Sequence, residues 1–154
     1  MSRVRLNASL WSAALLGAAL WPCLAHATLG EPESSVAAEP QLSHASIKAS
    51  DLGTYRVQES QLPSGTVVRE YAAPNGKIFA VTWRGPFVPN LRQLLGAYFD
   101  EYAAAPKGPI SNHHHLEVRQ PDLVVEAGGH MRASAGRAYL PQAVPAGVSV
   151  GELP

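Results

Sequence analysis

Two β-rich runs, Thr66–Ala72 (TVVREYA) and Ile78–Arg84 (IFAVTWR), flank the short link Ala73-Pro74-Asn75-Gly76. Strands joined by so short a link pair antiparallel, so this segment sets the rest of the architecture. β-branched and aromatic residues fill both runs, as a half-buried pleated surface requires. Two registers are open. A two-residue Asn75-Gly76 loop pairs Val68 with Trp83 and Glu70 with Val81. A three-residue loop, with Pro74 at the second turn position and Gly76 left-handed, pairs Tyr71 with Phe79, Arg69 with Val81 and Val67 with Trp83. The second is preferred, because Pro74 is preset for that position. It also gathers Val67, Tyr71, Phe79, Val81 and Trp83 on one face. Arg69 then lies in or beside an apolar face, its stem packed and its head in water.

Gly85-Pro86 stops the second strand, and Asn90 after Pro89 is suited to cap a helix. Leu91, Leu94, Leu95, Tyr98, Phe99 and Tyr102 recur at helical spacing on one stripe. That stripe needs a partner, and the aromatic hairpin supplies one. The helix should run from Asn90 to about Ala104 and fray before Pro106.

The remaining chain is punctuated by many of its 13 glycines and 13 prolines, which favours short strands over a helical bundle. Strands are expected at Tyr55–Glu59, Leu116–Gln120 and Arg137–Leu140, with a hairpin of Leu123–Ala127 and His130–Ala133 turning at Gly128-Gly129. Weak short helices are expected from Ser34 or Ser35 to Ala38 and over Gln41–Ala49, inside a leader spanning 28–54. Residues 141–154 read as an irregular tail. The expected fold is therefore α+β: a small antiparallel β-sheet packed by one main amphipathic helix, with its core in residues 55–140.

The first 27 residues have a separate purpose. Arg3 and Arg5 precede a largely apolar run from Leu6 to Leu20, and the segment ends in Ala25-His26-Ala27. This is the order of a secretory signal peptide with a small-x-small cleavage site. The 15-residue run is shorter than the roughly 20 residues a spanning helix needs. An acylated Cys23 is the less favoured alternative, since Pro22 stands where a lipobox wants a small residue. Cleavage after Ala27 removes the single cysteine and leaves 127 of the 154 residues. It also lowers the basic count from 12 to 10 against 12 acidic residues, a formal charge of −2. That balance excludes the basic excess of a nucleic-acid binder, and no later stretch is apolar enough to span a membrane. The expected location is the periplasm or the exterior.

No catalytic motif stands out. The run His113-His114-His115 could chelate zinc, copper or nickel weakly, but neighbouring residues rarely supply a full ligand set. A solvated loop is the better reading, and no cofactor is expected. Gly128-Gly129-His130-Met131-Arg132 could expose backbone N–H groups to an anion, with His130 and Arg132 beside them. Arg132 and Arg137 could form a small basic edge. A ligand cleft near Trp83, Tyr98 and Arg69 is a further candidate. The lack of a catalytic motif, together with export and an aromatic-rich small core, favours a non-enzymatic binding or accessory protein, with an unknown envelope protein or a small ligand as partner. The alternatives are a small-ligand or metal-binding protein and a hydrolase using His130.

Taken together, several stretches carry a resemblance. They are Leu29-Gly30-Glu31-Pro32 with Ser34-Ser35-Val36, then 62–71 (LPSGTVVREY), then 91–99 (LRQLLGAYF). The series closes with 128–132 (GGHMR) and Gly136-Arg137-Ala138-Tyr139. In this order they resemble the bacterial family called domain of unknown function 2844, over nearly all of the chain beyond residue 27. The resemblance implies a small exported protein of Gram-negative bacteria with no assigned activity. It implies no catalytic residues, and the His113–His115 run is not part of it. Mass spectrometry of the exported protein should find Thr28 as its first residue; an acylated Cys23 would instead establish the lipid anchor.

Overall fold

The computed structural model describes residues 29–33, 47–106 and 115–153. The signal segment, the helix expected around Ser34 to Ala38, and His113 and His114 lie outside these residues. So do the first residues of the helix expected over Gln41–Ala49.

Seven strands form one antiparallel sheet. They are β1 (Ile47–Asp51), β2 (Arg56–Gln61), β3 (Val67–Ala72), β4 (Ile78–Gly85), β5 (His115–Arg119), β6 (Val124–His130) and β7 (Ala133–Tyr139). Their order across the sheet is β1-β2-β3-β4-β7-β6-β5. Two meanders therefore meet along one seam, β4 against β7. The molecule is mostly β, with a larger sheet than the α+β expectation gave it. Strand β1 replaces the end of the helix expected over Gln41–Ala49, because its pairing with β2 satisfies backbone groups along its whole length.

The β3–β4 turn has the expected chemistry. The Gly76 N–H donates to the Ala73 carbonyl at 2.8 Å, and Gly76 sits at φ 81°. Next to the turn, Ala72 pairs with Ile78, as the three-residue loop requires. One step further the register shifts, so that Tyr71 pairs with Ala80 and Phe79 is an extra residue in β4. Beyond this β-bulge the pairs are Glu70 with Val81, Arg69 with Thr82, Val68 with Trp83 and Val67 with Arg84. The preferred register is thus corrected to the other one for most of the hairpin, since a bulge moves every later side chain to the opposite face.

The bulge gives β4 two buried faces. Ile78, Val81 and Trp83 join one core cluster with Val68, Val118, Val125, Leu94, Leu95 and Tyr102. Phe79 and Ala80 join a second with Tyr71, Tyr55, Val57 and Leu153. The five residues expected on one face are therefore divided between two.

The helical segment covers the first face. Asn90 caps it, its side chain accepting from the Gln93 N–H. It is α1 (Leu91–Leu95), a 3-10 turn through Tyr98 and α2 (Phe99–Ala104). The change falls at Gly96, which ends α1 at φ 51°. Leu94, Leu95 and Tyr102 of the expected stripe are buried, while Leu91, Tyr98 and Phe99 pack at its margin. Residues 29–33 add to this layer. Gly30 donates to the Ile78 carbonyl, Ile78 donates to Glu31, and Leu29 is buried in the helix-side core.

The tail covers the second face. Val144, Val148, Val150 and Leu153 pack against Tyr71, Phe79 and Tyr139. Tyr55, Tyr71 and Phe79 lie with ring centroids 5.9–6.3 Å apart. The segment is irregular, as expected, being two 3-10 turns and their links. It nevertheless serves as a structural layer.

The expected Gly128-Gly129 turn is also corrected. Both glycines lie within β6, and the turn is Met131-Arg132, closed by the His130–Ala133 pair. A Cβ at Gly129 would overlap the Ala133 carbonyl, so glycine is required there by close approach rather than by a turn. Gly136 has the same requirement, because a Cβ there would overlap the Trp83 indole. Gly136→Ala should lower stability by about 1–3 kcal/mol, the range for overpacking a core, measured as a lower urea midpoint at unchanged slope.

Candidate functional site

On the tail-covered face, one cross-strand row passes through all seven strands. It is Lys48, Glu59, Arg69, Thr82, Arg137, Glu126 and Glu117, each paired with the next. Opposite charges meet at Lys48–Glu59, Glu59–Arg69 and Arg137–Glu126, while Glu126 faces the like charge of Glu117. Arg69 Nε donates to Glu59 at 2.8 Å. Arg137 Nε donates to Glu126 at 2.6 Å, and its Nη1 donates to the Val150 carbonyl at 3.1 Å. Arg119 bridges Glu117 and Glu126 from the sheet margin. Arg137 thus joins the β6–β7 sheet to the tail.

Beside this row the tail ends and an open groove of about 440 Å3 begins. Leu153 closes it on the tail side. Its floor is the small-residue patch Ala127, Gly128, Gly129, Ala135 and Gly136. These residues bring the ligand-accessible surface down to the backbone. Arg69, Arg84 and Arg137 line it against one acid, Glu126.

The three arginines differ in how they are engaged. Arg137 is fully tied to Glu126 and the tail. Arg69 is engaged through Nε by Glu59. Arg84 is exposed and forms no ion pair among the described residues. Because Arg69 pairs with Thr82 and Arg84 with Val67, the two are diagonal neighbours on one face. Diagonal neighbours lie roughly 7–8 Å apart at the backbone, within reach of one ligand for long side chains. Guanidinium groups so placed are suited to a carboxylate or phosphate.

The sequence candidates are distributed unevenly. Arg69, Trp83 and Arg137 border the groove, although the Trp83 indole packs in the helix-side core. Its Nε1 is buried without a hydrogen-bond partner among the described residues. Tyr98 lies in the helical layer, beside Gly30. Arg132 lines a neighbouring depression with Arg84 and Pro86. His130 is exposed at the end of β6. The basic edge suggested for Arg132 and Arg137 is corrected: β7 is an inner strand, and Arg132 is in a turn. His115 begins β5, while His113 and His114 lie outside the described residues. Among the described residues no three His, Cys, Asp or Glu side chains gather as a metal site, and no helix is long and apolar enough to cross a membrane.

Arg84 is the groove residue that sequence reasoning missed. In the three-residue register, Arg69 shares a face with Val81 and Trp83, and Arg84 falls on the other. The bulge at Phe79 brings the two arginines together. Glu70 was missed for the same reason. It takes the place on the apolar face that Arg69 was expected to hold, opposite Val81. Its side chain is buried, and among the described residues no donor reaches it. Desolvation by this burial raises its pKa to about 8.

The fold and groove define a class: a β-rich protein with a cationic groove on one sheet face and helices on the other. The chain belongs to the family described as Protein of unknown function (DUF2844), whose model matches residues 25–153. No curated protein and no solved structure matches it.

Burial of Glu70 gives a pH dependence of stability. Unfolded, its carboxyl ionises near 4.5; folded, near 8. Between these values the folded state holds a proton that the unfolded state has lost. Stability should therefore fall as pH rises through this window, by up to about 1.4 kcal/mol per pH unit. Glu70→Gln should flatten that slope in urea melts taken across the window. The same slope in both proteins would assign the titration to another group.

Proposed function

We propose that this chain is exported by its first 27 residues and acts outside the cytoplasm as a non-enzymatic binding protein. Its groove receives an anionic group, carboxylate or phosphate, carried by a small ligand or by an envelope partner. The observation that carries this reading is the diagonal placement of Arg69 and Arg84 on one face, beside a glycine and alanine floor. Arginine forks recognise such anions through charge-assisted hydrogen bonds, and a backbone floor lets the anion approach closely.

The groove also has the volume of a small-molecule site. Among the described residues its lining holds one hydroxyl, the buried Thr82, and one carboxylate, which is held by Arg137, and no histidine, cysteine or serine. This supports binding over group transfer at this place. Fixed pairing of Arg137 with Glu126 keeps the floor rigid, so that little ordering cost falls on the ligand.

Isothermal titration with citrate and with pyrophosphate tests the reading. Wild type should bind at least one of them saturably, more weakly as salt rises. Arg84→Ala should weaken that binding about tenfold or more, the loss of roughly 1.4 kcal/mol or more from a charge-assisted contact. Its thermal midpoint should stay unchanged, because Arg84 is exposed. Failure of both anions to bind, or equal binding by Arg84→Ala, would overturn the proposal.

A further inference from the structure

Three of the four large apolar side chains exposed among the described residues lie at one end of the sheet. Phe87 is 59 % exposed, Val88 56 % and Met131 94 %. Phe87 and Val88 follow β4, whose last residue, Gly85, pairs with Ser134 near the start of β7. Met131 is in the β6–β7 turn just before that strand. A depression of about 340 Å3 lies between them, lined by Pro86 on one side and Arg132 on the other. Leu52, the fourth, is in the β1–β2 link at the opposite end.

Both tips are held in place. Thr66 is fully buried, and its Oγ1 donates to the Phe87 carbonyl at 2.8 Å. The Phe87 loop is therefore tied to the start of β3. Met131 is fixed by the His130–Ala133 pair that closes its turn.

The turn carries a further signal. Arg132 sits at φ 62°, the left-handed region that glycine or asparagine normally fills. A residue with a Cβ there costs the hairpin stability, roughly 1 kcal/mol by the usual penalty. Local strain of this kind is retained where the side chain has a use. Arg132 forms no ion pair among the described residues, and neither does its neighbour across the depression, Arg84.

Apolar tips at turn apices, flanked by exposed cations, match a surface that is apolar within and anionic at its boundary. We propose that this end of the sheet docks on an anionic phospholipid surface. Phe87, Val88 and Met131 enter the headgroup boundary, and Arg132 and Arg84 meet the phosphates. Apolar side chains at separate apices suit shallow insertion, and basic residues add attraction to anionic lipid. A flat protein interface would instead ask for one continuous apolar patch. The proposal goes beyond the groove reading, since Phe87, Val88, Met131 and Arg132 do not line the groove.

Co-sedimentation of the cleaved chain with vesicles tests it, using phosphatidylcholine alone and phosphatidylcholine mixed with phosphatidylglycerol. The wild type should partition to the mixed vesicles, and salt should release it. Phe87→Asp/Met131→Asp should abolish binding while leaving citrate and pyrophosphate titrations as in wild type. Arg132→Gly should raise the thermal midpoint by relieving the left-handed strain, yet weaken partitioning about fivefold. That opposite pair of effects is not produced by a residue with a structural role alone. Equal binding to both vesicle types, or no loss in Phe87→Asp/Met131→Asp, would overturn the proposal. So would a dimer in sedimentation velocity that Met131→Asp disperses while vesicles are ignored, since the tips would then be a self-association surface.

Discussion

One extra residue in β4 determines how this sheet is used. A strand that alternates strictly offers one face to each side. Phe79 interrupts that alternation, so Ile78 points with Val81 and Trp83 while Phe79 and Ala80 point the other way. β4 can then anchor a core on each face. Without the bulge, either Phe79 or Trp83 would have to leave the layer it fills. The helical segment and the tail, which never share a face, both depend on this single irregularity.

The same irregularity composes the surface chemistry. It turns Arg69 and Arg84 to a common face and sends Glu70 into the helix-side core. The exchange has unequal energetic results. Two arginines in a partly hydrated groove cost the fold little, because one is paired and the other is exposed. A carboxyl in an apolar layer stays neutral over much of the ordinary pH range. The charged row from Lys48 to Glu117 lies on the tail-covered side of the same division, where Glu59 meets Arg69 and Glu126 meets Arg137 across neighbouring strands.

Much of the fold was legible in the sequence. The Asn90 cap, the apolar stripe of the helix and the Pro74–Gly76 turn are local signals, and each was read from local spacing. The register was not legible, because no residue type marks a bulge at Phe79; its cause is tertiary, the need to fill two cores. Gly128-Gly129 misled for a related reason. The pair has turn composition, but its small size serves close strand approach, which only the neighbouring backbone reveals. The tail was invisible as a layer because Val144, Val148, Val150 and Leu153 follow neither a helical nor a strand period. Of the groove, Arg69 and Arg137 were visible as candidates, while Arg84 became one only after the strand was shifted.

The seam between β4 and β7 has a consequence for how the chain acquires this shape. β1 to β4 and β5 to β7 are meanders whose pairings join sequence neighbours, so each can form by closing short loops. The β4–β7 pairing is different, since it joins residues such as Ala80 and Tyr139 that are far apart in the chain. Contacts of that kind set the pace of folding more than local ones do. Gly136 and Trp83 meet on this seam. The glycine that the indole requires therefore sits on a long-range closure, where a side chain would hinder assembly as well as weaken the finished core.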